Sequence, residues 1–165
     1  VTTLTGGPVR RIPADGSTGR LSPRDVQILA GLARGHTAAT IASNLETTEW
    51  SVKSRTRRMA ILWQITGAHH AALVDRAYRH GHLIVVRQRA LPPLTGRLAQ
   101  VLECAACGLG VRATAADIGI STETVRTHRQ RLLQKLGAPC MARAVAVAWE
   151  AGILGPLPRR EAHHA

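Results

Sequence analysis

The sequence predicts an all-α fold in which two tandem four-helix units, each a helix-turn-helix, are joined by a short linker. One observation behind this is a helix with both ends signalled locally, over residues 119–137. Ser121 is a good N-cap, Glu123 sits where the helix dipole favours an acid, and Gly137 supplies the stop. Val125, Leu132, Leu133 and Leu136 recur at helical spacing, which turns Arg126, Thr127, Gln130, Arg131 and Gln134 outward. The preceding 115–119 reads as the end of a shorter helix with Gly119 in a left-handed turn, giving helix, tight turn, helix.

The other observation is that the chain repeats itself. Leu21, Arg24, Gln27, Leu29, Ala33, Gly35, Ala42, Val52 and Arg58 recur as Leu94, Arg97, Gln100, Leu102, Ala106, Gly108, Ala115, Val125 and Arg131 at an offset of 73. After Trp63 the offset falls to 71, matching Ala71, Val74, Ala77, Gly81 and Leu83 to Ala142, Val145, Ala148, Gly152 and Leu154. The first copy therefore has a loop two residues longer between its third and fourth helices.

In chain order, residues 1–20 are rich in Thr, Gly and Pro and carry Arg10, Arg11 and Arg20 without any period, which predicts a flexible basic arm. The first unit spans 21–83. Ser22 caps its first helix, Pro23 takes the first helical position, Asp25 lies near the positive end of the dipole and Gly35 ends it. Thr37 to Leu45 makes the second helix, Thr48 caps a third reaching Trp63, and His70 to His80 makes a fourth stopped by Gly81. In the third, Val52, Met59, Ala60 and Trp63 form the apolar face. Residues 84–93 are the linker, stiffened by Pro92 and Pro93 and able to span about 35 Å when extended. The second unit spans 94–154, its fourth helix running from Met141 to Ala151, and 155–165 form a flexible tail.

The run Ala115-Ala116-x-Ile118-Gly119-Ile120-Ser121-x-x-Thr124-Val125-Arg126-x-His128, followed by Lys135-Leu136-Gly137, closely resembles the LuxR/GerE-type helix-turn-helix domain of bacterial transcription regulators. The resemblance extends upstream to Leu94 and downstream to Leu154, and the repeat carries it to the first unit. It departs from the family pattern there, where Gly-Ile-Ser becomes Glu46-Thr47-Thr48 and Arg55 replaces histidine, and in the second unit where Arg129 takes an apolar position. Glutamate in the left-handed turn costs roughly 1 kcal/mol relative to glycine, and Arg129 is expected to snorkel.

The resemblance implies a sequence-specific regulator that binds double-stranded DNA with the third helix of each unit in the major groove. By position, Arg126, Thr127 and Gln130 then face bases in the second unit, and Lys53, Ser54 and Arg57 in the first. Thr124, His128 and Arg131, like Ser51, Arg55 and Arg58, face phosphates. Relatives dimerise through the fourth helix, so fused units supply an internal pseudo-dimer. The second unit, which keeps the family's turn, is expected to carry most of the discrimination and the first to anchor. Other partners weighed are RNA polymerase, another LuxR-type regulator and a second copy through the fourth helices. The alternative reading is an adaptor that pairs with LuxR-type regulators through those helices and titrates them; the basic third helices speak against it.

Charge points the same way. Lys and Arg number 22 against 10 acids, a formal net charge of +12, which suits a polyanionic partner. No stretch approaches the roughly 20 apolar residues of a membrane span, and the reading is a cytoplasmic protein of the bacterial nucleoid. Aromatics make up 2%, too few for base stacking on an aromatic platform. Three cysteines argue against a disulfide framework, and Cys104 and Cys107, although spaced as metal ligands, fall inside a helix as a core and a semi-exposed residue. No catalytic signature is present and no metal or cofactor is called for.

Overall fold

The computed structural model describes residues 21–67, 69–86, 90–91 and 93–156. The expected arm over 1–20, the tail beyond 156 and linker positions 87–89 and 92 lie outside the described residues. Within them run eight helices and no strand: α1 (Pro23–Ala33), α2 (Ala38–Asn44), α3 (Glu49–Leu62), α4 (His69–Arg79), α5 (Gly96–Ala106), α6 (Val111–Ile118), α7 (Thr122–Leu136) and α8 (Met141–Glu150).

The local signals act as the sequence suggests. Ser22 accepts the Asp25 N–H at 3.2 Å while the Asp25 carboxylate accepts the Ser22 N–H at 3.1 Å, a capping box that satisfies two end-of-helix donors. Thr37, Thr48 and Ser121 each accept the N–H three residues on. Helices α6 and α7 end on Gly119 and Gly137 with φ of 66° and 60°; Glu46 and Gln64, just after α2 and α3, take 49° and 54°. Outside glycine these φ values are strained. A further repeat is the arginine of α1 and α5: Arg24 donates to the Leu45 carbonyl and Arg97 to that of Ile118 at 3.2 Å, each closing the end of the helix before the turn.

The two four-helix sets share one hydrophobic core. Helix α4 lies on α8, and the remaining contacts between the sets are reciprocal, α1 with α8 and α5 with α4. Tyr78 and Trp149, equivalent under the repeat, stack on each other with centroids 5.5 Å apart. The C-terminal glycines of α1 and α5 do the same work from opposite sides. A Cβ on Gly35 (φ +84°) would come within 2.8 Å of Pro139 Cγ, and one on Gly108 (φ +87°) within 3.0 Å of the Thr66 carbonyl oxygen. Each set thus brings a loop residue against a glycine of the other.

Polar groups pin this contact. Asp75, 1% exposed, accepts from Trp149 Nε1 at 3.0 Å and from Arg79 Nε at 2.8 Å. Arg143 pairs with Glu150 at 2.7 Å and donates to the Ala33 carbonyl at 3.3 Å. Burying these charges is tolerable because each is paired.

The sets are held against each other by helix packing, and Val85 and Leu91 of residues 84–93 rest partly buried against the core. Self-association or adaptor pairing through the fourth helices would have to open this contact, because the apolar faces of α4 and α8, including Leu73, Val74, Val145 and Trp149, are spent on each other and on the core.

Candidate nucleic-acid interface

Helix α7 is held from behind by Val125, Leu132 and Leu136, all buried, which pack it against α5, α6 and α8. In front, Ser121 ties down the first turn, and its hydroxyl lies 2.8 Å from that of Thr124. This fixes which side chains face solvent. Arg126, Gln130 and Arg131 are exposed and Thr127 is half-buried. Arg126 pairs with Glu123 one turn back at 3.1 Å. Such an exposed pair contributes at most about 1 kcal/mol, so the guanidinium remains free to exchange partners.

Among the residues expected at phosphates, Arg131 is exposed and Thr124 half-buried, while His128 is half-buried with its Nδ1 enclosed and unbonded within the described structure. Arg129 does not snorkel. It turns inward, and its Nη2 donates to the Leu109 carbonyl at 2.7 Å, while burial lowers its pKa. Beside it Cys104 is buried with Sγ 3.5 Å from Asp117; burial and that carboxylate push the thiol pKa up to about 12, which leaves it inert. Cys107 is exposed.

Helix α3 presents the corresponding side chains. Lys53, Ser54 and Arg57 are exposed, with Lys53 paired to Glu49 one turn back, and Ser51 is half-buried under the Thr48 cap. Arg55 and Arg58 depart from the expectation that they serve phosphates alone. Asp25, 1% exposed, accepts from Arg55 at 2.9 Å and from Arg58 at 3.0 Å, and the Ser22 hydroxyl donates to it at 2.7 Å. An unpaired carboxylate could not be buried there, so these arginines are structural clasps between α1 and α3. Burial is the largest influence on the Asp25 pKa and raises it, but the hydrogen bonds from Ser22 and Arg55 and the nearby Arg58 charge together hold it below the ordinary carboxylate value. Arg58, 66% exposed, can still reach outward; Arg55, at 34%, is largely committed.

By position alone Asp25 is a complement to the helix dipole; the signal for its clasp is that the residues 73 positions on from Asp25 and Arg55 are Leu98 and His128, so the acid and the arginine occur together or not at all.

Residues 92–148, which contain α5, α6, α7 and most of α8, match the family described as GerE: Bacterial regulatory proteins, luxR family. A luxR-family domain occupies the second set. Residues 21–83 lie outside that match. The chain is similar to the probable transcriptional regulatory protein NarL of Mycobacterium tuberculosis, 43% identical over 72 residues, 42% of this chain and 33% of that protein. It is also similar to the transcriptional regulatory protein UhpA of Salmonella typhimurium (51% over 45 residues, 27% of this chain and 23% of UhpA) and to YdfI of Bacillus subtilis (38% over 68 residues, 41% and 32%). The chain thus spans a third or less of the length of these curated relatives. No solved structure matches.

The luxR-family domain accounts for the capped, outward-facing α7 and supports a DNA-binding transcription regulator. Among the described residues no helix is long and apolar enough to cross a membrane, and no group of three His, Cys, Asp or Glu side chains could hold a metal.

Proposed function

We propose that this chain is a sequence-specific, double-stranded-DNA-binding transcription regulator, non-enzymatic, in which two helix-turn-helix units form an internal pseudo-dimer with α7 and α3 each in a major groove. The observation that carries the reading is α7 of the luxR-family domain, whose locally capped and internally packed frame leaves Arg126, Thr127 and Gln130 on one outward flank. The chemistry suits base edges. Arg grips guanine O6 and N7 with two hydrogen bonds, Gln does so with adenine N6 and N7, and a Thr methyl meets that of thymine, a good bidentate pair giving about 1–3 kcal/mol of discrimination. Arg131, with part of His128 and Thr124, serves phosphates, which position without specifying.

The pseudo-dimer is supported by the reciprocal contacts of α1 with α8 and α5 with α4, by the Tyr78–Trp149 stack, and by matching turn conformations at Glu46 and Gly119. In this reading Lys53, Ser54 and Arg57 of α3 meet a second groove segment. The adaptor alternative asks for free fourth helices, and nothing observed favours it.

The test is selection of bound duplexes from a random pool by the intact chain, followed by anisotropy titration at several salt concentrations. A recurring motif and a log-log salt slope of about 0.9 per phosphate contact are expected. A flat slope, or equal affinity for scrambled duplexes, rejects the reading.

A further inference from the structure

Five large apolar side chains are well exposed among the described residues, and three of them, Trp50, Ile61 and Leu62, stand on α3. Trp50 is 77% exposed in the first turn, at the place where α7 carries Glu123. In a helix, residues three, four and seven positions apart share a flank. Trp50 therefore shares its flank with Lys53, Ser54 and Arg57, all exposed. Among the described residues no ring stack or cation contact engages the indole, unlike Trp63 and Trp149, which stack on histidines and on Tyr78.

We propose that Trp50 is a specificity-determining residue of the first unit, with its indole seated against the C5-methyl of a thymine in the major groove. The inference rests on α3 lying in a groove as proposed above. The thymine methyl is the apolar feature of the major-groove edge, and apolar side chains read it by contact. Recognition helices meet base edges with their N-terminal residues, which is where Trp50 stands.

Charge decides between DNA and an apolar protein surface as the occupant. Lys53, Arg57 and Arg58 flank the indole on the exposed side of α3, in a chain of net charge +12. A greasy protein face would have to desolvate these cations, whereas a duplex supplies phosphates for them and a methyl for the indole in the same groove. Ile61 and Leu62 lie about 17 Å further along the helix axis, beyond the turns that reach bases.

Duplexes selected by the intact chain are resynthesised with each thymine replaced singly by deoxyuridine, which removes only the methyl. The wild-type chain is expected to lose about fourfold in affinity at one or two of these positions, the worth of one buried methyl group. Trp50→Ala is expected to bind the thymine and uracil forms at those positions equally. Acrylamide quenching supplies a readout independent of affinity: the fluorescence component absent from Trp50→Phe should become shielded when the duplex binds. Indifference of the wild type to every replacement, or an undiminished loss in Trp50→Ala, overturns the proposal. So does an indole that stays open to quencher in the complex, the outcome if this flank faces a protein instead. A chain without any sequence preference sinks the DNA-reading function itself, a result separable from these because it does not depend on Trp50.

Discussion

Helices α3 and α7 occupy equivalent places but are held by different means. Helix α7 enters from Gly119 and leaves through Gly137, both in the left-handed region, and leans on α5 through apolar side chains such as Leu98 and Val125. Helix α3 enters from Glu46 and leaves through Gln64, forced to the same φ at some cost, and is clasped to α1 by Asp25 with Arg55 and Arg58. One helix is positioned by unstrained turns and packing. The other trades turn quality for an ion-pair network around a buried carboxylate, which largely commits Arg55 and ties down Arg58 at one end. Similar helix-turn-helix geometry is thus reached with glycine and leucine or with charge, and the second solution commits Arg55 to the fold. It also leaves an indole where the other helix has an acid.

The largest effect should come from the contact that both sets share. Trp149→Ala removes a stacked aromatic and the Nε1–H donor to Asp75, and is expected to destabilise the chain by about 3–5 kcal/mol in urea unfolding. The wild type should unfold in one transition that shifts as a whole. Two transitions, of which only one moves, would mean that the sets stand independently.

Asp25→Asn should come next, at about 2 kcal/mol, below the 3–5 of a fully buried pair because both arginines are partly exposed. Its pH dependence sharpens the comparison. The folded carboxyl titrates below the unfolded value of about 3.9, so its stabilisation is complete above that pH and is lost as pH falls through the lower folded pKa. Acid unfolding curves of the wild type and Asp25→Asn should therefore converge at low pH. A gap that stays constant from neutral pH down through acid would assign the effect to packing.

For recognition, Arg126→Ala/Gln130→Ala is expected to erase more motif information than Lys53→Ala/Arg57→Ala, with about 1–3 kcal/mol of discrimination lost at each affected base pair. Arg131→Ala should weaken all duplexes alike. Paired selections read the ranking, and a larger loss from the α3 pair reverses it. The smallest effect is in the turns: Glu46→Gly should stabilise by about 1 kcal/mol and Gly119→Ala destabilise by a similar amount. A neutral result at both positions, measured by denaturant midpoint, would remove the turns from the comparison.

Much of this was legible because the signals are local. Ser22, Thr48 and Ser121 cap where short polar residues precede apolar periodicity, and the strained turn at Glu46 followed from aligning it with Gly119. What escaped depends on contacts between distant segments. Asp25 meets Arg55 across 30 residues, and Asp75 meets Trp149 across 74. No periodicity encodes such pairs. Arg129 misled for a related reason, since the carbonyl that receives it belongs to Leu109, 20 residues earlier in the loop before α6. Trp50 was visible but unread, because an aromatic residue at a helix start resembles any other until its exposure is known.

The central claim is that one chain brings two recognition helices to one duplex. A footprint of the intact protein on a selected duplex, at a measured stoichiometry of one chain per site, tests it most directly. The account predicts two protected major-groove segments about one helical turn, roughly 34 Å, apart. Protection of a single segment by one chain, or two segments only when two chains bind, would contradict it.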